Sequence, residues 1–213
     1  MLIDIYHDTV CPWCRIGKKH LFDALLQWHQ EEVIIRWHPF LLDNTVPSEG
    51  YEFRDFMRKR KGMTPEQLQQ LFDFTRKAGN SAGVALDFSK VRWAVNTMLS
   101  HRLIAVAPEE LKSNVVEAIY KAYFEDGLNI GNVDVLINIA NQLNIDIELS
   151  QLQNQTGLDK IIAESEFARL NGINSVPLFV INNSVQVDGS HSPGVFIQAF
   201  NRASLIKIEA KIW

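Results

Sequence analysis

The chain has 213 residues, 46% of them hydrophobic and 22% charged, with a formal net charge of −4. These are ordinary globular values, and the length is enough to bury a full core without covalent staples. The mildly acidic balance gives no electrostatic case for nucleic acid or an anionic membrane, and no apolar stretch approaches the ~20 residues that span a bilayer.

Met1-Leu2-Ile3-Asp4 carries an acid where a signal peptide has basic residues, so the expected location is the cytoplasm. Residues 2–7 read as a buried strand. Beyond Cys11, the apolar residues Ile16, Leu21, Ala24, Leu25 and Trp28 recur at near-helical spacing, predicting a helix to about Gln30. Val33-Ile34-Ile35-Arg36-Trp37 is β-branched and aromatic, a second strand. The result is a β-α-β unit with its cysteines at the first strand–helix corner.

The middle of the chain changes character. Asn44 to Gly50 is a loop of turn formers. Helices are expected from Glu52 to Lys61 and, behind Thr64-Pro65, to about Ala78. The basic run Arg58-Lys59-Arg60-Lys61 reads as a solvated helix end. Ser89 is expected to cap a longer helix with Val91, Ala94, Val95, Met98, Leu99 and Leu103 on its apolar face. Further helices run from Pro108 to Gly127 and from Asn132 to about Leu143, and no strand is expected between about 50 and 145. Phe53, Phe56, Leu71, Phe72, Phe74 and Trp93 are candidates to line a groove beside the cysteines, although helical spacing favours core packing for most.

The end returns to mixed α/β. Leu158 to Leu170 reads as a helix with Gly172 at its C-terminal cap. Residues 178–181 and 184–187 read as strands joined at Asn182-Asn183, residues that tolerate the positive φ of a tight hairpin. Val195 to Leu205 closes the chain as a helix. Rejoining the two ends makes one α/β domain from 1–43 and 151–213, interrupted by a helical domain over 44–150.

Cys11 and Cys14 are the only cysteines. A dithiol at this spacing closes into a small disulfide ring and opens again, which is redox chemistry. Zinc wants about four ligands, and neither a second C-x-x-C nor a paired-histidine motif follows, so no metal is expected. A c-type haem site needs His after the second cysteine, where this chain has Arg15. A bridge closing so short a ring contributes little stability, and persistent disulfides are rare in the cytoplasm. Both points favour a catalytic pair. The first cysteine at a helix N-terminus meets the positive end of the helix dipole, which favours a negative sulfur there. Asp8 and His7 precede the cysteines and are candidates for proton transfer, with a surface or capping role for Asp8 as the alternative. Lys18 and Lys19 read as solvated helix charges. His101 and Arg102 read as structural hydrogen-bonding groups.

The element order, with C-x-x-C at the first corner, resembles a thioredoxin fold carrying an all-helical insertion, the architecture of the DsbA superfamily. Cys11-Pro12-Trp13-Cys14-Arg15-Ile16-Gly17-Lys18-Lys19, Trp37-His38-Pro39-Phe40-Leu41-Leu42, Asn96 to Leu103, Ala122 to Ile130 and Ser175-Val176-Pro177-Leu178-Phe179-Val180 are together similar to motifs of its FrnE-like branch. The resemblance implies a thiol–disulfide oxidoreductase without a cofactor. In it Cys11 attacks and Cys14 resolves, Pro12 and Trp13 tune the centre and meet substrate, and Val176-Pro177 is a cis-proline pair facing the cysteines. The implied partner is a thiol or disulfide substrate, protein or small molecule, with glutathione among the candidates. Trp13 adds no charge where DsbA has a histidine. A weaker oxidant than DsbA is therefore expected, on a scale from about −120 mV for DsbA to about −270 mV for thioredoxin. The sister branches, kappa-class glutathione transferases and 2-hydroxychromene-2-carboxylate isomerases, supply the alternative function, a glutathione-dependent isomerase or transferase. Those branches carry Ser at the first-cysteine position and a late Asp-Arg pair. This chain has Cys11, and Asp188-Gly189-Ser190-His191 lacks the pair.

Overall fold

The computed structural model describes residues 1–209. Strand β1 (Leu2–His7) pairs in parallel with β2 (Ile34–Pro39), Ile3 opposite Ile35 and Tyr6 opposite His38. On its other edge β1 runs antiparallel to β5 (Leu178–Ile181), which pairs with β6 (Val185–Asp188), giving the order β2-β1-β5-β6. The β5–β6 turn holds Asn182 and Asn183 at φ of 49° and 55°, the left-handed region a two-residue hairpin needs. Helix α1 (Pro12–Leu25) packs beside α9 (Pro193–Glu209) against this sheet. Ile3, Ile5, Leu21, Phe179, Phe196 and Phe200 form an apolar interior between them.

The inserted segment builds a second interior. It contains α2 (Phe53–Lys61), α3 (Pro65–Ser81), α4 (Met98–Val106), α5 (Lys112–Phe124) and α6 (Val133–Gln142). A short 3₁₀ turn at Glu109–Leu111 leads into α5. Helix α3 carries a full capping box: Thr64 Oγ1 accepts from the Gln67 N–H, and the Gln67 side chain accepts from the Thr64 N–H. The chain then forms α7 (Leu149–Gln153) and α8 (Gln155–Leu170), and α8 packs against β2 and α4.

Several expectations need correction. Helix α1 ends at Leu25, short of Gln30. The helix expected from Ser89 begins only at Met98, so α4 keeps Met98, Leu99 and Leu103 of the expected face but not Val91, Ala94 and Val95. Ser89 instead closes a turn by donating its N–H and hydroxyl to Asp87. Residues Trp93–Ala94 (β4) then pair antiparallel with Tyr51–Glu52 (β3), a two-stranded ladder in a region where no strand was expected. Val91, Ala94 and Val95 are buried as their spacing suggested, but by a bridged loop. Three-and-four spacing over so short a stretch does not distinguish this from a helix. Helix α7 was not anticipated, and α8 begins at Gln155 rather than Leu158. No helix among the described residues is long and apolar enough to cross a membrane.

Candidate active site

After His7 the chain turns through Asp8-Thr9-Val10, and the Cys11 N–H donates to the Asp8 carbonyl at 3.1 Å. Cys11 is the N-cap of α1 with extended backbone, and Pro12 takes the first helical position, where no N–H is required. The Cys11 carbonyl accepts from the Cys14 and Arg15 N–H groups at 3.1 and 3.3 Å, so the helix begins within the motif. Both cysteines are free thiols, Cys11 5% and Cys14 2% exposed. Burial, then the hydrogen bond and charge of Cys11, push the Cys14 thiol well above its ordinary range, and a backbone hydrogen bond from Asp8 opposes this only in part.

Val176 and Pro177 reach the cysteines from the far end of the sequence. The Val176–Pro177 peptide is cis. The Cys11 thiol lies 3.8 Å from the Val176 carbonyl oxygen. The Pro177 carbonyl accepts from the Gly189 N–H at 2.8 Å, which ties this loop to the β5–β6 hairpin. Gly17 on α1 makes the approach possible: a Cβ there would stand 3.0 Å from Pro177 Cγ and from Phe179 Cζ. Sequence reading took Gly17 only as part of a motif. Its packing role appears when the distant proline is placed on it.

Beneath the cysteines lies a buried polar cluster. Asp8 Oδ2 accepts from the Leu42 N–H at 2.8 Å, and Asp8 Oδ1 lies 3.2 Å from His101 Nε2. The surface alternative for Asp8 is therefore excluded, since the residue is 1% exposed. His7 Nδ1 lies 2.9 Å from the Tyr120 hydroxyl, which also donates to the Asp8 carbonyl at 3.4 Å. Burial, reinforced by electrostatic repulsion from the neighbouring His101, His38 and Lys18 side chains, holds the His7 imidazole well below its ordinary range. Thr9 and Ser100 share a hydroxyl–hydroxyl bond of 2.7 Å between the turn after β1 and α4. Arg102 donates to the Gln151 carbonyl, so both members of the His101-Arg102 pair have structural partners.

Lys18 departs from its expected solvated role. It is buried, with Nζ 2.8 Å from Glu117 Oε2 on α5. Arg15, directly after Cys14, is buried too, and it donates to Glu117, Glu125 and the Ala85 carbonyl. These cations hold the Glu117 carboxyl below its ordinary range even though burial pushes the other way. Glu117 gave no sequence signal, because an acid among helical residues looks like any solvated helix charge.

Cys11 opens on a cavity of about 360 Å³. Pro12, Trp13 and Val176 form its floor beside the sulfur, and side chains from α2, α3 and the 88–97 loop form its walls. Of the six groove candidates, Phe53, Phe56, Leu71 and Phe72 line it while also packing into the insertion's interior. Phe74 and Trp93 are exposed and outside it. The geometry supplies a paired thiol centre at a helix N-terminus, a carbonyl close to the outer sulfur, and room above it for a ligand.

A family model described as the DSBA-like thioredoxin domain matches residues 2–201. The Bacillus subtilis (strain 168) protein YwbO is 25% identical over 203 residues, covering 93% of this chain and 95% of that one. Among solved structures, the probable DsbA oxidoreductase of Streptomyces coelicolor superposes with a TM-score of 0.86 at 26% identity, over 95% of this chain and 89% of the other. Cytosolic disulfide reductase DsbM from Pseudomonas aeruginosa, solved with GSH, has a TM-score of 0.63 at 13% identity, over 99% and 100% of the two chains, a likeness of fold alone. With two thiols at the first strand–helix corner of a thioredoxin fold carrying a helical insertion, the chain belongs to the DSBA-like thioredoxin domain family, whose general chemistry is that of thiol–disulfide oxidoreductases and isomerases.

Proposed function

We propose that the protein is a thiol–disulfide oxidoreductase exchanging disulfides through Cys11 and Cys14, with Cys11 attacking and Cys14 resolving. The observation that carries this is the asymmetry of the pair. Cys11 stands at the N-cap of α1 and borders the cavity, whereas Cys14 does not border it and keeps its proton through burial. The outer sulfur takes the substrate and the inner one waits for the mixed disulfide. Pro12, Trp13, Val176 and Pro177 surround the exchanging sulfur and act as its substrate-facing frame. Pro12 and Trp13 shape the first turn, and the Val176 carbonyl lies beside the sulfur.

The same reading divides the chain into a thioredoxin-like domain over 1–43 and 151–213 and an insertion over 44–150, since all four strands of the main sheet fall in the first set. It places the reaction in the cytoplasm, where a cycling dithiol is the usual use of such a pair. Glutathione enters as a candidate reductant because DsbM, of similar fold, was solved with it. No feature of the site favours a glutathione-dependent isomerase or transferase over dithiol exchange.

The test is Cys14→Ser. With a disulfide substrate, the variant is expected to stop after one step and accumulate a Cys11–substrate mixed disulfide, visible as an added mass on the intact protein. Multiple turnover with a thiol reductant should vanish. Undiminished turnover in Cys14→Ser with glutathione would overturn dithiol exchange in favour of the isomerase or transferase reading.

A further inference from the structure

The cavity above Cys11 has an unusual inventory of polar groups. Its walls are mainly Phe53, Phe56, Met57, Leu71, Phe72 and Phe88. Phe53, Phe72 and Phe88 stack in sequence, with ring centroids 5.4 and 4.7 Å apart and planes nearly parallel. The polar groups that reach it are mostly engaged elsewhere. Asp8 is shared between the Leu42 N–H and His101, Asp43 takes Thr45 and Arg60, Thr75 donates to the Leu71 carbonyl, and Tyr123 donates to the Trp93 carbonyl. Lys61 is exposed at the rim. A peptide thiol entering here would lose water from its amides and carboxylates and find few partners in return. A site without such partners discriminates against polar ligands, because each buried unpaired group costs its desolvation.

Size and depth point the same way. The volume of about 360 Å³ lies at the lower end of the range for small-ligand sites, about 300–1,000 Å³. Cys11 is 5% exposed. Such limited access favours a small disulfide that can enter the cavity whole over one held in the surface of a folded protein.

We propose, building on the exchange function above, that the centre is specific for low-molecular-weight disulfides and thiols with an apolar, ring-sized body, in preference to glutathione or folded proteins. In the reducing direction the Cys11 thiolate attacks one sulfur of R–S–S–R′. The Cys11–S–S–R bond forms, and R′S⁻ leaves and takes a proton from solvent. Cys14 gives up its proton to solvent and attacks the Cys11 sulfur. The Cys11–Cys14 disulfide closes, and RS⁻ leaves and is protonated in turn. The substrate gains two electrons and the protein dithiol loses two. An added dithiol such as dithiothreitol restores the protein by the same exchange. The ring of R lies along the Phe53–Phe72–Phe88 wall, where offset or edge contacts with aromatic faces are favourable.

The test uses the full-length reduced protein in single turnover, with acid-quenched samples read by intact mass. Benzyl 2-hydroxyethyl disulfide and bis(2-hydroxyethyl) disulfide have alkyl thiol leaving groups of similar acidity, so a difference between them reports binding. The benzyl compound is expected to react about tenfold faster or more, the discrimination an apolar pocket gives for a few extra carbons. Glutathione disulfide and insulin should both be slower than the benzyl compound. Val95→Phe, which fills the cavity, should narrow the benzyl preference to about threefold or less, below the roughly tenfold floor of apolar discrimination. Phe56→Ser changes a half-buried wall residue and should narrow it too, so a folding defect in one variant does not decide the matter. Equal rates for the two small disulfides, or a faster reaction with glutathione disulfide or insulin, overturn the specificity and leave exchange standing. Failure of every disulfide to oxidise the Cys11–Cys14 pair overturns exchange itself.

Discussion

Helix α1 faces two interiors held by different physics. Toward the sheet, Leu21 and Ala24 pack with Ile3, Ile5, Phe179, Phe196 and Phe200, an interior made of apolar side chains. Toward the insertion, Cys14, Arg15 and Lys18 are buried within hydrogen-bonding reach of Glu117, Glu125, Ala85 or Asp8. His7, His101 and Tyr120 lie nearby. The first interior needs only volume and shape. The second buries charge, and buried charge is tolerable only when each group has a fitted partner. The α1–sheet interior is therefore an apolar scaffold, and the insertion side, which carries the reactive sulfurs, is where the ionisation of groups around α1 is coupled to folding.

The largest expected effect tests the scaffold. Phe196→Ala removes a fully buried ring and should cost about 3–5 kcal/mol in denaturant unfolding. The reduction potential of the remaining folded protein should stay unchanged, and a shift would show that the two interiors are not separable. Next comes Glu117→Gln. Breaking a fully buried pair costs about 3–5 kcal/mol, but Glu117 is 45% exposed and Arg15 keeps Glu125, so about 1–2 kcal/mol is expected after discounting for solvent screening. The loss should shrink as pH falls below the ordinary carboxyl value of 4.5, where the unfolded chain takes up a proton that the native wild-type carboxyl resists.

The third prediction is a pH slope. Native His7 titrates well below 6.5, whereas in the unfolded chain it titrates near that value. As pH falls from 7 to 5 the unfolded state takes up a proton that the native state refuses, so stability falls, by at most about 1.4 kcal/mol per pH unit for one group. His7→Phe should flatten the unfolding free energy over that window by this group's share, whatever it does to stability at pH 7. An unchanged slope would place the pH sensitivity elsewhere. The smallest effect concerns the motif itself. The wild-type potential should lie below the DsbA value of about −120 mV, and Trp13→His should raise it, read by equilibration with glutathione redox buffers. A wild-type potential at or above the DsbA value would refute the role given to Trp13.

The two interiors were also unequally legible. The sheet side follows from local pattern: the Asn182-Asn183 turn and the 178–181 strand lie where sequence places them, and the runs at 33–37 and 184–187 fall within a residue or two of β2 and β6. The insertion side did not yield as well. Val91, Ala94 and Val95 have helical spacing, yet a ladder between Tyr51–Glu52 and Trp93–Ala94 takes that stretch, because pairing with residues about forty positions away outweighs a short periodicity. Lys18 looked like a solvated charge because its partner Glu117 is 99 residues distant.

What the sequence determined by itself is the chemistry available and the frame that carries it: two cysteines in one motif at a strand–helix corner, and a proline late in the chain matching the family's pattern. These are legible because they depend on residue type and short-range spacing. What only the tertiary structure decided is the environment of the sulfurs. Gly17 lets α1 close on Pro177, Asp8 is buried and shared with His101, and the phenylalanines of the insertion stand as the walls of a cavity over Cys11. Burial and polar satisfaction are properties of pairs of distant residues, so no local pattern encodes them.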